Sequence, residues 1–487
     1  MRKIFSADYI YVGSEKKDYS ILVEDGIIKA IDKRSLIREQ FPFVKEERYD
    51  GFLYPGFNDA HLHIKEIALL LSSIDATGYK NFNDLKNLIQ NSNDEFIYVY
   101  NLNFNYLSMD QWKELFNYNK PLFIQSKDEH SVFLNRVAIL KNNIEVKEVK
   151  GGFLVKDKGK FIGIFKDRAI DLVESVKERT ISKNDIERVE RYLLKRGITS
   201  VTNFDFSVYP LLKEMDEYKE LRVRVYQGIA KDAVKDIIKE GIRTNLCGSK
   251  LCFGPVKCFM DGSLGSQTAA MYSVKEFPNS FTMEDMDLKE IIELANRNNI
   301  QVAVHAIGDK AVHTVMELFK KFGNKRMRNR IEHLQFINEN DLPLLKESTF
   351  IASMQPMHAI SDAKLVKKLL GNFRYAYAWN TVLNSGKLLA FGSDAPVEDA
   401  SPLLGIYAAN KRLPQNNVPF IPEECISVKQ ALDAYTIGSA FASFSENVKG
   451  KIENGYLADF VILDRSLFHS NVKDINVVKS IIGGENG

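Results

Sequence analysis

Cysteine is scarce in this chain. Cys247, Cys252, Cys258 and Cys425 are the only four in 487 residues, and no pair has C-x-x-C spacing. That excludes a disulfide-built scaffold, and the sequence predicts unpaired thiols in a reducing compartment. Long apolar runs are missing too. The longest, IALLL (67–71), is far short of a membrane span. The opening stretch MRKIFSADYIYVG (1–13) is broken by Asp8 and is too polar for a secretory leader. Charge of one sign is not in excess either: 66 basic residues face 64 acidic ones, for a net charge of +2. No electrostatic footprint for nucleic acid or an acidic membrane follows. These absences together point to a cytoplasmic protein. Internal repeats and low-complexity segments are also absent.

What is present reads as a large α/β protein. Apolar residues make up 45% and charged residues 27%, the balance of a globular chain. Short β-rich stretches open it (SADYIYVG, DYSILVED, GIIKAID), and the tail KGKIENGYLADFVILD has the same style. Two such pieces can pair, because chain termini often lie close together. The expectation is a small β-sandwich made of 1–54 and 445–487. Between them, eight apolar runs of parallel-sheet type alternate with helical pattern: 56–64, 197–204, 221–229, 252–260, 300–309, 329–336, 350–356 and 387–397. Eight such units predict a (β/α)8 TIM-like barrel over 55–444. Helices fit the gaps, as in MEDMDLKEIIELANRNN (283–299) and in DKAVHTVMELFKKFG, which closes on Gly323. The gap between the first and second runs is too long for one helix, so 65–196 is expected to hold an inserted α+β subdomain.

Barrel enzymes carry their chemistry at the C-terminal ends of the strands. The first run, PGFNDAHLHI (55–64), ends with His61 and His63 two apart, on one side of an extended strand. The fourth carries Lys257, the fifth His305, the sixth His333 and the eighth Asp394. Singly, each has an ordinary explanation: a satisfied core histidine, a snorkelling lysine, an aspartate capping a helix. Five strand ends with metal-competent or titratable groups in one frame point instead to a metal site. Met260, Asp261 and His358 follow strand ends and are candidate substrate-binding residues by position. His313 and His469 read as ordinary helix or surface residues. The glycine-rich DGSLGSQTA (261–269) lacks the spacing of a dinucleotide or Walker-type phosphate loop and reads as a tight turn.

At these residues the chain resembles the amidohydrolase superfamily, in particular the amidohydrolase-3 branch that includes N-substituted formamide deformylase. The matching stretches are PGFNDAHLH, GITSVTNF, VKCFMDGSLGSQTA, QVAVHAIGD, RIEHLQ, FGSDAPV and NGYLADFVILD. The resemblance implies a binuclear centre of two divalent ions, with zinc the first choice. His61, His63 and Asp394 would bind the first ion and His305 and His333 the second. Lys257, carboxylated by CO2, would bridge them. A buried lysine loses its proton readily, and its carbamate is a bidentate anion. In SKDEHSVFLN (126–135) the chain departs from the branch pattern: Glu129 stands where glycine is usual, while His130 is kept.

The reading that follows is hydrolysis of a C–N amide-type bond in an N-acyl, N-formyl or cyclic amide by a metal-bridging hydroxide. Asp394 would be the proton carrier, and His130 a catalytic or substrate-binding donor. A mononuclear deaminase of the same barrel is the alternative, and a non-catalytic scaffold a third. Should the chain oligomerise, a homodimer is the commonest form. Aromatic Phe104, Tyr106 and Phe133 in the insertion hint at an apolar acyl or aryl group, although core packing explains them equally well.

Overall fold

The computed structural model describes residues 2–76, 79, 81–126, 131–149, 152–173, 176, 181–265, 267–272, 274, 281–283, 285–414 and 418–486. The chain divides into two compact units, Met1–Ile64 with Glu190–Gly487, and Lys65–Val189. Among the described residues no helix is long and apolar enough to cross a membrane.

The larger unit is built on eight parallel strands: Phe57–Leu62, Ile198–Asn203, Arg224–Ala230, Leu251–Phe259, Val302–Ala306, Arg330–His333, Ile351–Met354 and Leu389–Phe391. Each pairs with the next in chain order. A bridge between Leu62 and Ala395 brings the last strand back to the first, and the Asp394 amide donates to the His61 carbonyl at 2.7 Å. Six of the eight apolar runs contain one of these strands, and the third and fourth strands reach one residue beyond theirs, to Ala230 and Leu251. The strands are buried on both faces, so they read as continuous rather than alternating hydrophobicity. Helix Asp309–Phe322 carries Asp309 in its first turn and Lys320 and Lys321 in its last, matching its dipole. Gly323 ends it, but with φ −72° rather than in the left-handed turn. Glycine is needed there for close approach, since a Cβ would come within 2.6 Å of the Phe319 carbonyl oxygen.

Both ends of the chain meet in one eight-stranded sheet. Phe460–Leu463 runs antiparallel to Glu46–Pro55, pairing Phe460 with Pro55 and Leu463 with Phe52. Successive residues face opposite sides of a strand. Phe5, Ile21 and Phe460 therefore build one apolar cluster, while Ile4 and Leu22 pack on Ile37 of the helix Arg34–Gln40. The Arg224 guanidinium grips Asp459 through two hydrogen bonds (2.7 and 3.0 Å), tying the foot of the third barrel strand to this sheet.

The unit Lys65–Val189 holds a six-stranded sheet. Its helix Phe82–Asn91 buries Phe82, Leu85 and Ile89. Helix Met109–Phe116 starts in a Ser108/Gln111 capping box. Phe133 is fully buried in this unit's core, and Phe104 packs against Trp112 in the same cluster. Their aromaticity therefore belongs to packing.

One expectation is corrected. Cys247 and Cys252 form a disulfide. Their spacing spans a tight turn that enters the fourth barrel strand, and the two residues pair across it in an antiparallel bridge. The turn, rather than cysteine abundance, brings the sulfurs together. Cys258 and Cys425 are free.

Candidate active site

The first barrel strand points Asp59 and His61 to one side, as residues two apart in a strand must, and His63 follows directly after it. Asp59 accepts from the His61 and Ser393 amides (3.0 and 3.1 Å) and from the Ser393 hydroxyl (2.6 Å). It thereby pins the first strand to the segment carrying Asp394. Burial pushes its carboxyl up to about 7.

Three imidazoles are held in a common way. His61 Nδ1 lies 2.6 Å from Glu332 Oε2, His63 Nδ1 lies 3.1 Å from Asp205 Oδ1, and His333 Nδ1 lies 2.9 Å from Gln355 Oε1. An acceptor at Nδ1 fixes the proton there and leaves the Nε2 lone pair free. His61 Nε2 and His63 Nε2 both face Asp394 Oδ1, at 3.4 and 3.2 Å. One ligand atom from each of His61, His333 and Asp394 lies within 4.8 Å of the others. Lys257 Nζ is 3.5 Å from His61 Nε2 and 4.3 Å from the centre of the Phe204 ring, with the residue only 2% exposed.

His305 packs edge-on against His333 with ring centres 4.5 Å apart. Its Nε2 is turned to the Gly262 carbonyl at 3.0 Å. His333 and Asp394 have φ of 72° and 59°. Non-glycine residues held in this region cost on the order of 1–3 kcal/mol each, and such residues cluster at functional sites.

The electrostatics follow from burial among like and unlike charges. Burial, with the Lys257 cation adding to it, pulls the His61 imidazole down to about 3 and His305 down to about 4. Burial and the neighbouring His305 hold His333 well below its ordinary value. Burial also lowers Lys257 to about 8. His63 goes the other way. Burial disfavours its cation, but Asp205 and Asp394 on either side hold it up to about 9. Against burial, the His61, His63 and His333 imidazoles keep Asp394 well below the carboxylate range.

The other expected residues fall in different places. His130 lies outside the described residues, as does Glu129. Asp261 turns its carboxylate onto the Ile307, Ala270 and Gly308 amides (3.0, 3.0 and 2.8 Å), fastening the segments after the fourth and fifth strands to each other. The Met260 side chain is fully buried. His358 lies against the site, with Nε2 3.7 Å from Asp394 Oδ2. The turn after the fourth strand is closed by the Gly262 amide on the Thr268 carbonyl at 3.2 Å. His313 pairs with Asp341 at 2.8 Å on its helix, and His469 is exposed.

Residues that the sequence pattern does not single out hold this arrangement together. Arg330 and Glu332 are both fully buried and paired, with Nε to Oε1 at 2.7 Å. Two charges two apart in NRIEHLQF are the signal that could find them: one face of that strand has to be charged and enclosed. Asp205 and Gln355 end their strands in the same way, but as single polar residues they form no pattern.

The model of the amidohydrolase family matches residues 50–486. The protein LONG AFTER FAR-RED 3 of Arabidopsis thaliana is 30% identical, over 88% of this chain and 81% of that protein. The putative amidohydrolase YtcJ of Bacillus subtilis (strain 168) is 28% identical, over 100% of this chain and 99% of its own. Among solved structures, an uncharacterized metal-dependent hydrolase from Pyrococcus furiosus superposes with a TM-score of 0.80 at 27% identity, covering 96% of this chain and 100% of that one.

Proposed function

The chain belongs to the amidohydrolase family, in its amidohydrolase-3 branch, and from that premise we propose that it hydrolyses a C–N amide-type bond of a small molecule with divalent metal ions. The substrate class is an N-acyl or N-formyl amide, or a cyclic amide. The observation that carries the reading is the common fastening of His61, His63 and His333 at Nδ1, with the Nε2 atoms of His61 and His63 facing Asp394 Oδ1. A metal-binding imidazole needs that outer support. The donor set of imidazole and carboxylate fits zinc and its neighbours.

His61, His63 and Asp394 would hold one ion and His305 and His333 the other. Lys257, as the carbamate formed when its neutral amine takes up CO2 and releases a proton, would bridge them. Its burial and lowered pKa, to about 8, support an amine able to react. Bound divalent ions supply the acidity that makes water nucleophilic near neutral pH and the charge that polarises a carbonyl. Asp394 takes the proton and passes it to the departing nitrogen. Phe259, 45% exposed with its ring 5.5 Å from that of His305, supplies an apolar wall for an acyl group.

The compact trio His61, His333 and Asp394 supports a second reading, a single-ion deaminase of the same barrel. Counting metal per chain, with a screen of N-formyl, N-acyl, cyclic amide and ester substrates under zinc and manganese, decides. Two ions with amide turnover support the first reading, and one ion with deamination supports the second. A metal-free protein inert to all of these would refute both.

A further inference from the structure

His358 is a buried imidazole that the proposed reaction leaves without a task. It sits in the short helix Pro356–Ser361, directly after the seventh barrel strand. Its Nδ1 lies 3.2 Å from Gln335 Nε2. An amide N–H donates, so Nδ1 accepts, and the neutral ring carries its proton on Nε2. Among the described residues, that Nε2 has no hydrogen-bond partner, and neither has Gln335 Oε1. Asp394 Oδ2 lies 3.7 Å from His358 Nε2, just beyond hydrogen-bond reach. The other oxygen of the same carboxylate, Oδ1, is the one facing His61 and His63. The ring itself is held parallel to that of His333, with centres 6.1 Å apart and planes 7° apart.

We propose that His358 is a positioning residue for Asp394. Its Nε2–H holds Oδ2, so that Oδ1 alone is offered to the metal, and Gln335 sets the tautomer that makes this possible. The inference rests on the metal-dependent reading above and adds to it the division of labour between the two oxygens. A buried N–H left unpaired is costly, so a small shift that closes the 3.7 Å gap is favoured. A carboxylate whose second oxygen is held cannot swing to present both. His358 thus acts through the carboxylate.

The test titrates Co2+ alone into metal-stripped full-length protein and reads the visible absorption of the bound ion. Wild type is compared with His358→Phe, His358→Gln and Gln335→Met. His358→Phe is expected to lose about tenfold or more in Co2+ affinity and to shift the absorption band, the range for loss of an outer partner. His358→Gln keeps an N–H donor and recovers most of the affinity. Gln335→Met leaves His358 in place but frees its tautomer, and it loses affinity as well. If His358→Phe and Gln335→Met both match wild type in affinity and band, the assignment is overturned while the metal reading stands. Should His358→Phe fail to fold, the other two variants, His358→Gln and Gln335→Met, decide alone. Wild type that takes up no Co2+ overturns the metal reading and this inference with it.

Discussion

Replacing Glu332 with alanine should damage both the fold and the metal site, by amounts that can be worked out. Glu332 and Arg330 are each fully buried. The carboxylate takes Arg330 Nε at 2.7 Å and Nη2 at 3.1 Å while facing His61 Nδ1 at 2.6 Å. Arg330, with help from His61, holds it well below the carboxylate range in spite of burial. Removing it strands a buried guanidinium, a loss of about 3–5 kcal/mol. Arg330 keeps the Ala60 carbonyl at 2.6 Å and the Ser353 hydroxyl at 2.9 Å, which places the expected loss near about 3 kcal/mol. His61 loses the acceptor that fixes its tautomer, for a further ~10–100-fold fall in metal affinity. Urea unfolding of the metal-free protein measures the first effect, and competition with a zinc chelator measures the second. A Glu332→Ala protein within about 1 kcal/mol of wild type and with unchanged zinc affinity would refute the argument.

Other outcomes follow from the same geometry. Without metal, wild type should lose stability relative to His305→Asn as pH falls from 6.5 toward 4. The unfolded chain binds a proton near 6.5 that the folded imidazole refuses until about 4. At about 1.4 kcal/mol per pH unit this reaches about 3 kcal/mol, and a pH-independent difference in urea midpoints would contradict it. Lys257→Ala should lose at least one metal ion and its hydrolytic rate, read by elemental analysis and turnover. A variant with full metal and full rate removes the bridging role. Reduction of Cys247–Cys252, at a sequence separation of only 5, should cost about 2 kcal/mol from loop closure. An unchanged urea midpoint under reductant would argue against that disulfide.

The barrel is legible in the sequence because most of its strands are buried on both faces and largely apolar, with a polar residue near the C-terminal end, although the first and sixth strands also carry Asp59, Arg330 and Glu332 within them. The same signal picks out His61, His63, Lys257, His305, His333 and Asp394. It carries less information one layer out. Asp261 follows a strand end just as a substrate residue would, yet its carboxylate is spent on three backbone amides. Glu332 is overshadowed by the histidine beside it, and its partner His61 lies 271 positions away in sequence. Outer-layer residues are defined by such distant partners, which local pattern does not encode. The Cys247–Cys252 pairing is hidden for a related reason: composition speaks for the whole chain, whereas a disulfide needs only one turn.

Anomalous diffraction from crystals grown with zinc shows whether imidazoles from separate strands and one carboxylate converge on metal. A peak is expected at about 2.0–2.2 Å from Nε2 of His61 and His63 and from an Asp394 oxygen, with a second peak near His305 and His333 and added density on Lys257 Nζ. A map with no peak among these side chains, from crystals holding zinc elsewhere, would contradict that convergence.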